Sequence, residues 1–543
     1  MADTAVGSRT VLVALATQQL LMAYDSTAMN VALSDIVTDL HTTLTGVQSA
    51  ISLYALVMAA LMLTGSELGT RRGFVRIFTL GAIVYGTGAL LTAFSPNLPV
   101  MLFAWSLLEG IGAALVLPAI LSIATQRFDG PARTRALAVI GAATGVGAAL
   151  GPILCGVIAT YVTWRLSFLM ETVVTAMVVL MMRRTMETRR ERSAQRFDVV
   201  GMVLSALGFG LIVLATLLIG KYGAWTARQD VVVGGTTLLE KGQIAPTVPL
   251  AAAGLVVLTG FAWWERIRYL RGKKPLVRVS VLRRRTTRVG SFTLLAQYLV
   301  TAGLMFLVPV FVQTSLGYNA LESGVTLLPT TVLLIVAALA ATRLVGGGRV
   351  SRRALIIAGF LLMAAGAVIV ALGFDPGGSG LRLAPGLAVA GIGLGLCTLL
   401  PDLVQSSAPP DQVSDVSGLS RSFSYLGQSI GVALGGALMI GVLMSALTSG
   451  VQTSTTFTAQ QKSRINASLE RQSQVSAMSD AQLDAALRKK GVGGGARDEL
   501  VRLNAGARDS GLRAAMVGMG VFALAGCVLA LRIPRSRPEP THP

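Results

Sequence analysis

The sequence predicts an all-α polytopic membrane protein, and three observations support this fold class. Hydrophobic residues make up 53% of the 543-residue chain, whereas charged residues make up only 13%, about half the share in a typical soluble protein. Apolar runs of roughly twenty residues recur from Thr10 to Leu531, and each is long enough to cross a bilayer as a helix. These runs predict about fourteen transmembrane helices.

The basic residues predict how the chain is oriented in the membrane. The formal net charge is +20, and most of the arginines lie in alternate loops between the apolar runs. Cytoplasmic loops retain positive charge, so we expect both termini in the cytoplasm of a multi-pass protein of the cell inner (plasma) membrane. The loops around His41, Ser95, Gly317 and Asp375 are nearly free of Lys and Arg and are predicted to face the other side. Because the basic clusters are short and separated by apolar runs, we expect no nucleic-acid partner.

The sequence shows no sign of an enzyme. Both histidines, His41 and His542, lie outside the apolar runs, and no nucleophile–base pair or metal-ligand spacing is present. The cysteines Cys155, Cys397 and Cys527 lie inside apolar runs, where a thiolate is disfavoured. We therefore expect no catalytic residue, metal site, cofactor or disulfide framework.

The fifth apolar run, GAATGVGAALGPILCG, is rich in glycine around one proline. Glycines permit close approach between membrane helices, and proline bends a helix by removing a hydrogen bond. The segment resembles the GxxxGPxxGG signature of the antiporter branch of the major facilitator superfamily, with Cys155 in place of one glycine. The residues that carry this antiporter helix signature are Gly141, Gly145, Gly147, Gly151, Pro152 and Gly156.

Other segments resemble the fourteen-helix drug:proton antiporter subfamily (multidrug exporter type). MAYDSTAMNVAL is similar to its LDxTxxNVAL motif through Asp25, Thr27 and Asn30, and TWRLSF is similar to its WRWxF motif through Trp164, Arg165 and Phe168. A later signature matches at Gln313, Gly317, Gly324 and Pro329. The resemblance implies a proton-coupled secondary active transporter that exports amphipathic small molecules such as drugs, dyes or natural products by alternating access.

The same resemblance implies the major facilitator fold, with two six-helix bundles and two linker helices. We expect residues 1–183 to form the first bundle and residues 289–543 the second. Residues 184–288 would hold the linker helices and a periplasmic hairpin at 221–247, where two β-like runs flank Gly234 and Gly235. A polar insertion at 449–511 would either extend the flanking helices or form a small cap.

Two departures from the family pattern concern proton coupling. In the loop GSELGTRRGFVR, Thr70 occupies the position of the usual acid, which leaves Glu67 as a substitute acid in a cytoplasmic latch with Arg71, Arg72, Gly73 and Arg76. In the fourth run, Ser106 occupies the position of the usual arginine and Glu109 that of the usual glutamine. The proton route of the family therefore does not transfer directly to this chain.

Four carboxylates lie within apolar runs, where an acid is costly and calls for a functional or structural reason. Asp25, Glu109, Glu171 and Asp402 are candidates for proton coupling, and Glu109 or Glu171 would also suit a cationic substrate. The alternatives are a static hydrogen bond between helices or, for Asp402, an interfacial contact with Arg421. Polar side chains predicted to line the cavity are Gln18, Tyr24, Asn30, Tyr54, Gln313, Tyr425 and Gln428.

Two other functions remain open from the sequence. The first is an exporter of lipid or glycolipid cargo that uses 449–511 to contact a periplasmic partner. The second is a membrane scaffold or receptor that uses the basic loop at 266–288. In each case membrane lipid surrounds the chain, and the transport hypotheses add a small-molecule substrate and a proton as partners.

Overall fold

A computed structural model describes residues 2–183, 185, 198–227, 230–233, 236–273, 275–347, 350–375, 378–407, 412–471, 480–489 and 492–534. Within these residues, thirteen helices are long and apolar enough to cross a membrane. The first helix is not among the thirteen, because Gln18, Gln19 and Asp25 interrupt its apolar run. Thirteen of the fourteen predicted spans therefore meet this criterion, and the prediction of a nearly all-helical polytopic protein is confirmed.

The N-terminal half begins with a long helix and contains a π-helical stretch. Its described elements are α1 (Ala2–Ala28), α2 (Leu33–Asp39), α3 (Leu44–Arg72), α4 (Phe74–Ala93), α5 (Leu98–Met101), a π-helical segment (Leu102–Glu109), α6 (Gly110–Arg127), α7 (Gly130–Tyr161) and α8 (Trp164–Met182).

The linker helices pack against each other and bracket a small sheet. They are α9 (Val199–Tyr222) and α10 (Thr247–Leu270), with β1 (Val231–Val233) antiparallel to β2 (Thr236–Leu239) between them and a 3₁₀ turn at Val279–Arg283 after them. The predicted turn at Gly234 and Gly235 lies outside the described residues. Helix α9 also packs against α3 of the N-terminal half.

The C-terminal half contains two helices much longer than a bilayer requires. Its described elements are α11 (Arg285–Thr314), α12 (Ala320–Thr326), α13 (Leu328–Gly346), α14 (Arg352–Gly373), a 3₁₀ turn (Gly380–Leu383), α15 (Ala384–Cys397), α16 (Leu399–Ser406), α17 (Val413–Thr453), α18 (Ala459–Arg471), α19 (Asp480–Lys489) and α20 (Gly494–Leu531). Helix α17 packs against α3 and α9, so it joins the C-terminal half to the rest of the molecule.

The outer surface of the helices suits lipid. On α20, Val517, Val521, Leu524 and Val528 are exposed and recur at helical spacing on one face, while Ala515, Met516 and Met519 of the same helix are buried. In a water-soluble protein such an apolar face would be covered, whereas hydrocarbon is its natural solvent. Helix α20 thus presents one face to lipid and the opposite face to neighbouring helices.

The insertion at 449–511 extends the flanking helices. Helix α17 ends at Thr453 and α20 begins at Gly494, so both extend into the insertion. A small core there consists of Leu447 and Val451 of α17, Phe457 after it and Ala507 of α20. Two contacts fasten this arm: Ser454 donates to Glu499 (3.0 Å), and the buried Arg508 pairs with Asp480 of α19 (3.0 Å). The two longest helices are therefore packed against each other along the arm.

Candidate functional site

A π-helical segment positions the central acids of the N-terminal half. The fourth apolar run, which contains Ser106 and Glu109, is built from α5, the π-helical segment Leu102–Glu109 and α6. A π-helix has a wider turn than an α-helix and often marks a functional site. Helix α4 packs closely on it, because a Cβ at Gly88 would lie 2.7 Å from the Glu109 backbone nitrogen. Trp105 and Glu109 are thereby fixed toward α1 and α8.

Three predicted acids come together to form what we call the acidic triad: Asp25, Glu109 and Glu171. Their carboxylate oxygens lie within 4.8 Å of one another, and each residue is at most 1% exposed. Trp105 Nε1 donates to Asp25 Oδ1 (3.1 Å), and the Tyr85 hydroxyl donates to Glu171 Oε2 (2.8 Å). The triad joins residues from α1, the π-helical segment and α8, which are far apart in sequence.

The structure shows no basic side chain paired with the triad among the residues that it describes. Within the described part of the chain, none of the three acids forms an ion pair. Two charged carboxylates this close would repel by about 3.5 kcal/mol even at an effective dielectric constant of ~20. Three negative charges here are therefore strongly unfavourable, and the triad is suited to holding protons or binding a cation.

Ser106 occupies the position where the family pattern has an arginine. Its hydroxyl donates to the backbone oxygen of Ala50 on α3 (2.8 Å), and the side chain is fully buried. A small hydroxyl therefore satisfies a helix contact at this position and supplies no charge to the triad. This local packing explains how α3 and the π-helical segment remain in contact without the arginine.

Aromatic rings surround the triad on one side. Tyr54 stacks on Trp105 with ring centroids 5.1 Å apart, and Phe168 meets the edges of both Trp105 and Trp164. A cavity of about 10 Å³, roughly the space for one water, is bounded by Asp25, Glu171 and Trp164. Apart from this small space, the triad is enclosed by protein atoms.

The two halves are in close contact at one end of the bundle, around His41, Ser95, Thr160 and Gly317. We call it the arginine-poor end, because its connections hold few arginines outside the arm. Gln313 of α11 donates to the Val31 backbone oxygen (2.7 Å) and accepts from the Ser34 backbone nitrogen (3.0 Å). A Cβ at Gly324 of α12 would lie 2.3 Å from the Pro152 backbone oxygen of α7. Gln313 therefore bridges the halves, and its predicted place in the cavity lining is wrong.

A larger, partly open cavity of about 280 Å³ lies between the halves, toward the opposite end. We call that end the arginine-rich end, since it carries Arg72, Arg76, Arg127, Arg288 and Arg352. The N-terminal half contributes Gln19, Leu121, Leu137, Ile140, Gly141 and Thr144 to the lining. The C-terminal half contributes Leu294, Tyr298, Pro401, Gln405, Ser420, Arg421, Ser424 and Tyr425.

Few of the side chains predicted to line the cavity do so. Tyr425 lies in its wall, but Gln18, Tyr24, Asn30 and Tyr54 are buried within the N-terminal half. Adjacent residues point about 100° apart on a helix, so Gln19 faces the cavity while Gln18 faces the interior. Gln428 is half-buried on α17 and does not contribute to this lining.

Asp402 lies outside the site. Its side chain is 64% exposed and pairs with Arg352 at 3.2 Å. The expected contact with Arg421 is therefore wrong, because Asp402 points away from the cavity while its neighbours Pro401 and Gln405 line it. The nearby Asp415 pairs with Arg278 at 3.0 Å.

Two of the residues predicted to form the latch, Glu67 and Arg71, form an ion pair within α3. Glu67 accepts from Arg71 Nε at 2.5 Å, and both side chains are largely buried. Thr70 donates to the Ser66 backbone oxygen (3.1 Å). Gly73 joins α3 to α4 with φ of 100°, a conformation that favours glycine, and Arg72 and Arg76 are exposed.

The signature glycines of α7 fall into two groups. A Cβ at Gly147 would lie 2.2 Å from the Leu20 backbone oxygen of α1, and Gly151 and Gly156 are equally confined, by α1 and by α12. Gly141 and Gly145 instead meet open space. Close approach to a neighbouring helix was expected of all five signature glycines, and three of them show it in this conformation. Pro152 lies at the contact with Gly324.

We predict that Gly147→Leu destabilises the protein, whereas the matched variant Gly145→Leu does not. The leucine at 147 meets backbone atoms of α1 that no side-chain rotation can move, at a cost of about 1–3 kcal/mol for overpacking. Thermal unfolding of the purified protein in detergent measures the difference. Equal melting temperatures for the two variants would contradict the packing between α1 and α7.

The fold and the cavity together define a polytopic helical membrane protein in which two helical halves enclose a central space. The chain belongs to the Major Facilitator Superfamily, whose family model matches residues 15–432. That family consists of transporters rather than enzymes, in agreement with the sequence analysis.

Curated relatives of the chain carry names of exporters and resistance proteins. The probable actinorhodin transporter of Streptomyces coelicolor is 29% identical over 79% of this chain and 72% of its own length. The puromycin resistance protein pur8 of Streptomyces alboniger is 30% identical over 78% of this chain and 80% of its own length. The multidrug resistance protein Stp of Mycobacterium tuberculosis is 25% identical over 78% and 74%.

Solved structures share the fold at low identity. A bacterial homologue of the human lysosomal transporter Spinster, in an inward-facing and unoccupied conformation, aligns with a TM-score of 0.60 and 16% identity over 97% of this chain and 98% of its own. An auto-inhibited peptide transporter of the POT family aligns with a TM-score of 0.59 and 15% identity, over 98% of this chain and 99% of its own.

Proposed function

We propose that the protein is a proton-coupled exporter of amphipathic small molecules in the cell membrane, and that the acidic triad is its proton-binding site. The observation that carries the proposal is three buried carboxylates within 4.8 Å of one another without a paired cation. Such a group exchanges protons when water reaches it, and intramembrane acids in transporters commonly serve as proton relays. The names of the relatives support export of antibiotics or drugs.

Alternating access accounts for the arrangement of the two ends. The halves are in contact at the arginine-poor end and separated by a cavity toward the arginine-rich end. If the arginine-rich end is cytoplasmic, as the loop charges favour, this conformation would admit substrate from the cytoplasm. Rocking of the halves would then open the arginine-poor end, release substrate outward and expose the triad to external protons.

Proton access to the triad would come from the arginine-poor end. The 10 Å³ cavity beside Asp25 and Glu171 reaches Trp164, whose indole nitrogen donates to Asp39 (2.9 Å). Asp39 is half-exposed at that end and also pairs with Arg165 at 2.8 Å. Separation of the halves would hydrate this side of α1 and α8, and the triad would then gain or lose a proton.

The test is transport by purified protein in liposomes. A pH gradient that is acidic on the side of the arginine-poor end drives protons toward the arginine-rich end. We expect the substrate dye to move the other way, from the arginine-rich end to the arginine-poor end. An internal pH-sensitive dye records the accompanying proton flux. Collapsing the gradient with nigericin removes both signals. Dye movement that depends on a sodium gradient and not on the pH gradient would indicate that the triad binds Na⁺ instead. Dye movement that depends on neither gradient would refute coupled transport.

The arm formed by 449–511 provides the test of the alternative, a lipid exporter that hands cargo to a periplasmic partner. Replacing residues 459–479 by a short Gly/Ser linker keeps Ser454, Phe457, Asp480 and Glu499, which hold the base of the arm together. The transmembrane region is therefore expected to stay folded. We predict that the shortened protein keeps gradient-driven dye export. Export that fails in cells but persists in liposomes would indicate a partner at the arm.

A further inference from the structure

We propose that the exported substrates are amphipathic anions, such as aromatic carboxylic acids, and that Arg421 binds their negative group. This inference rests on the proposed export function and names the substrate class of the same cavity. It departs from the sequence-based expectation that Glu109 or Glu171 would neutralise a cationic substrate.

Arg421 is the charged side chain in the described cavity lining. It lies half-buried on α17 and forms neither an ion pair nor a hydrogen bond within the described residues. A partly buried charge is normally paired, and a cation in a cleft with low-dielectric walls attracts anions. The geometry therefore leaves the guanidinium for a ligand.

The two nearest acids along the chain that the structure describes are already paired with other arginines. Asp415, two turns before Arg421 on α17, pairs with Arg278, and Asp402 of α16 pairs with Arg352. The acidic triad lies in the interior of the N-terminal half and not in this lining. The described lining of the substrate space consequently carries one positive side chain and no acid.

The other residues of the cavity lining indicate which parts of the ligand are apolar and which are polar. Leu121, Leu137 and Ile140 of the N-terminal half form an apolar wall. Gln405 and Ser424 lie with Arg421 on the wall of the C-terminal half. A volume of about 280 Å³ is near the lower limit for a drug-sized ligand. A ligand with an aromatic or aliphatic body and one terminal acidic group would place its body on the apolar wall and its acid on the polar wall. The guanidinium–carboxylate pair would fix its orientation.

Charge balance gives the inference a second consequence. Export of one monovalent anion with uptake of one proton moves two positive charge equivalents inward per cycle. Exchange of a monovalent cation for one proton moves none. An inside-negative membrane potential therefore accelerates export of an anion at that stoichiometry and leaves one-for-one cation exchange unchanged.

Three pyrene probes with the same aromatic body test the proposal: pyrenebutyrate (anion), pyrenebutanol (neutral) and pyrenebutylamine (cation). Equilibrium binding to the full-length protein in detergent is expected to favour pyrenebutyrate. Arg421→Gln lowers that affinity about 10- to 100-fold, as expected for loss of a charge-assisted hydrogen bond. The same variant leaves pyrenebutanol binding unchanged, and Arg421→Lys retains part of the anion preference.

Arg352→Gln is the matched control, because Arg352 is paired with Asp402 outside the cavity; its pyrenebutyrate affinity stays at the wild-type value. Binding that does not depend on probe charge, including no binding of any probe, overturns the inference, as does a preference for pyrenebutylamine. In liposomes, a potassium diffusion potential that is negative on the side of the arginine-rich end speeds pyrenebutyrate export by the wild type. Anion-selective binding without gradient-driven transport would refute the proposed function and leave the binding role of Arg421 standing.

Discussion

Replacing Glu109 by Gln is expected to reduce proton-driven export to a few per cent of the wild-type rate or less, with Asp25→Asn and Glu171→Gln causing similar losses. Each substitution removes one ionisable group from a triad whose members lie within 4.8 Å of one another, so the proton affinity of the other two changes as well. Glutamine nearly matches glutamate in volume, and the fold is expected to persist. Gradient-driven dye export and proton flux in liposomes measure the loss.

The control for the triad is Asp402→Asn, which changes an exposed acid beside Arg352 and should keep export near the wild-type rate. Exchange of substrate across the membrane without a gradient requires substrate binding but no proton coupling. The triad variants are expected to retain this exchange, because the triad lies outside the substrate cavity. Full gradient-driven export by all three triad variants would contradict the assignment of the triad to proton coupling.

Gly156→Leu is expected to prevent closure at the arginine-poor end. A Cβ there would lie 2.8 Å from the Leu321 Cα of α12, across the contact between the halves. Because the clash is between the halves and not within one, the variant should fold but disfavour this conformation by about 1–3 kcal/mol, a shift of roughly 10- to 100-fold in population. Transport falls accordingly, since the cycle requires this state.

Thiol labelling measures the conformational shift. A Gly141→Cys substitution places a cysteine in the cavity wall, whereas the native Cys155, Cys397 and Cys527 are buried. Adding Gly156→Leu should slow its reaction with a membrane-impermeant maleimide applied from the arginine-rich end. Gly506→Leu, where an added side chain meets open space on the arm, should not change that rate. Equal labelling in both double variants would rule out the proposed role of Gly156.

Hydropathy predicted the spans well because burial in lipid imposes a strong and simple constraint on composition. The first predicted span is also a helix, α1, but it is less apolar than the other spans because Gln18, Gln19 and Asp25 lie in it, and it packs along α7. The same reasoning singled out Asp25, Glu109 and Glu171 individually, since a carboxylate in hydrocarbon is rare. Their convergence required tertiary structure, because the acids lie on three separate elements.

Other features of the site had no signal in the sequence. The π-helical segment differs from an α-helix in hydrogen bonding and not in composition, so the rotation that it gives Trp105 and Glu109 could not be anticipated. Arg421 stood near an acidic loop and was expected to pair with Asp402. Only the three-dimensional arrangement assigns that acid to Arg352 and leaves the guanidinium in the cavity.

Because α17 is long, a small rotation of the C-terminal half displaces the arm by a measurable distance. Its 41 residues span about 60 Å, roughly twice the hydrocarbon thickness of a bilayer, and α20 stiffens it by packing alongside. Because α17 is continuous from the cavity wall to the arm, a rotation of only 10° moves a point 30 Å along the helix by about 5 Å. Spin labels on Thr453 and on Thr42 of the opposite half would convert that displacement into a measurable change in separation during turnover.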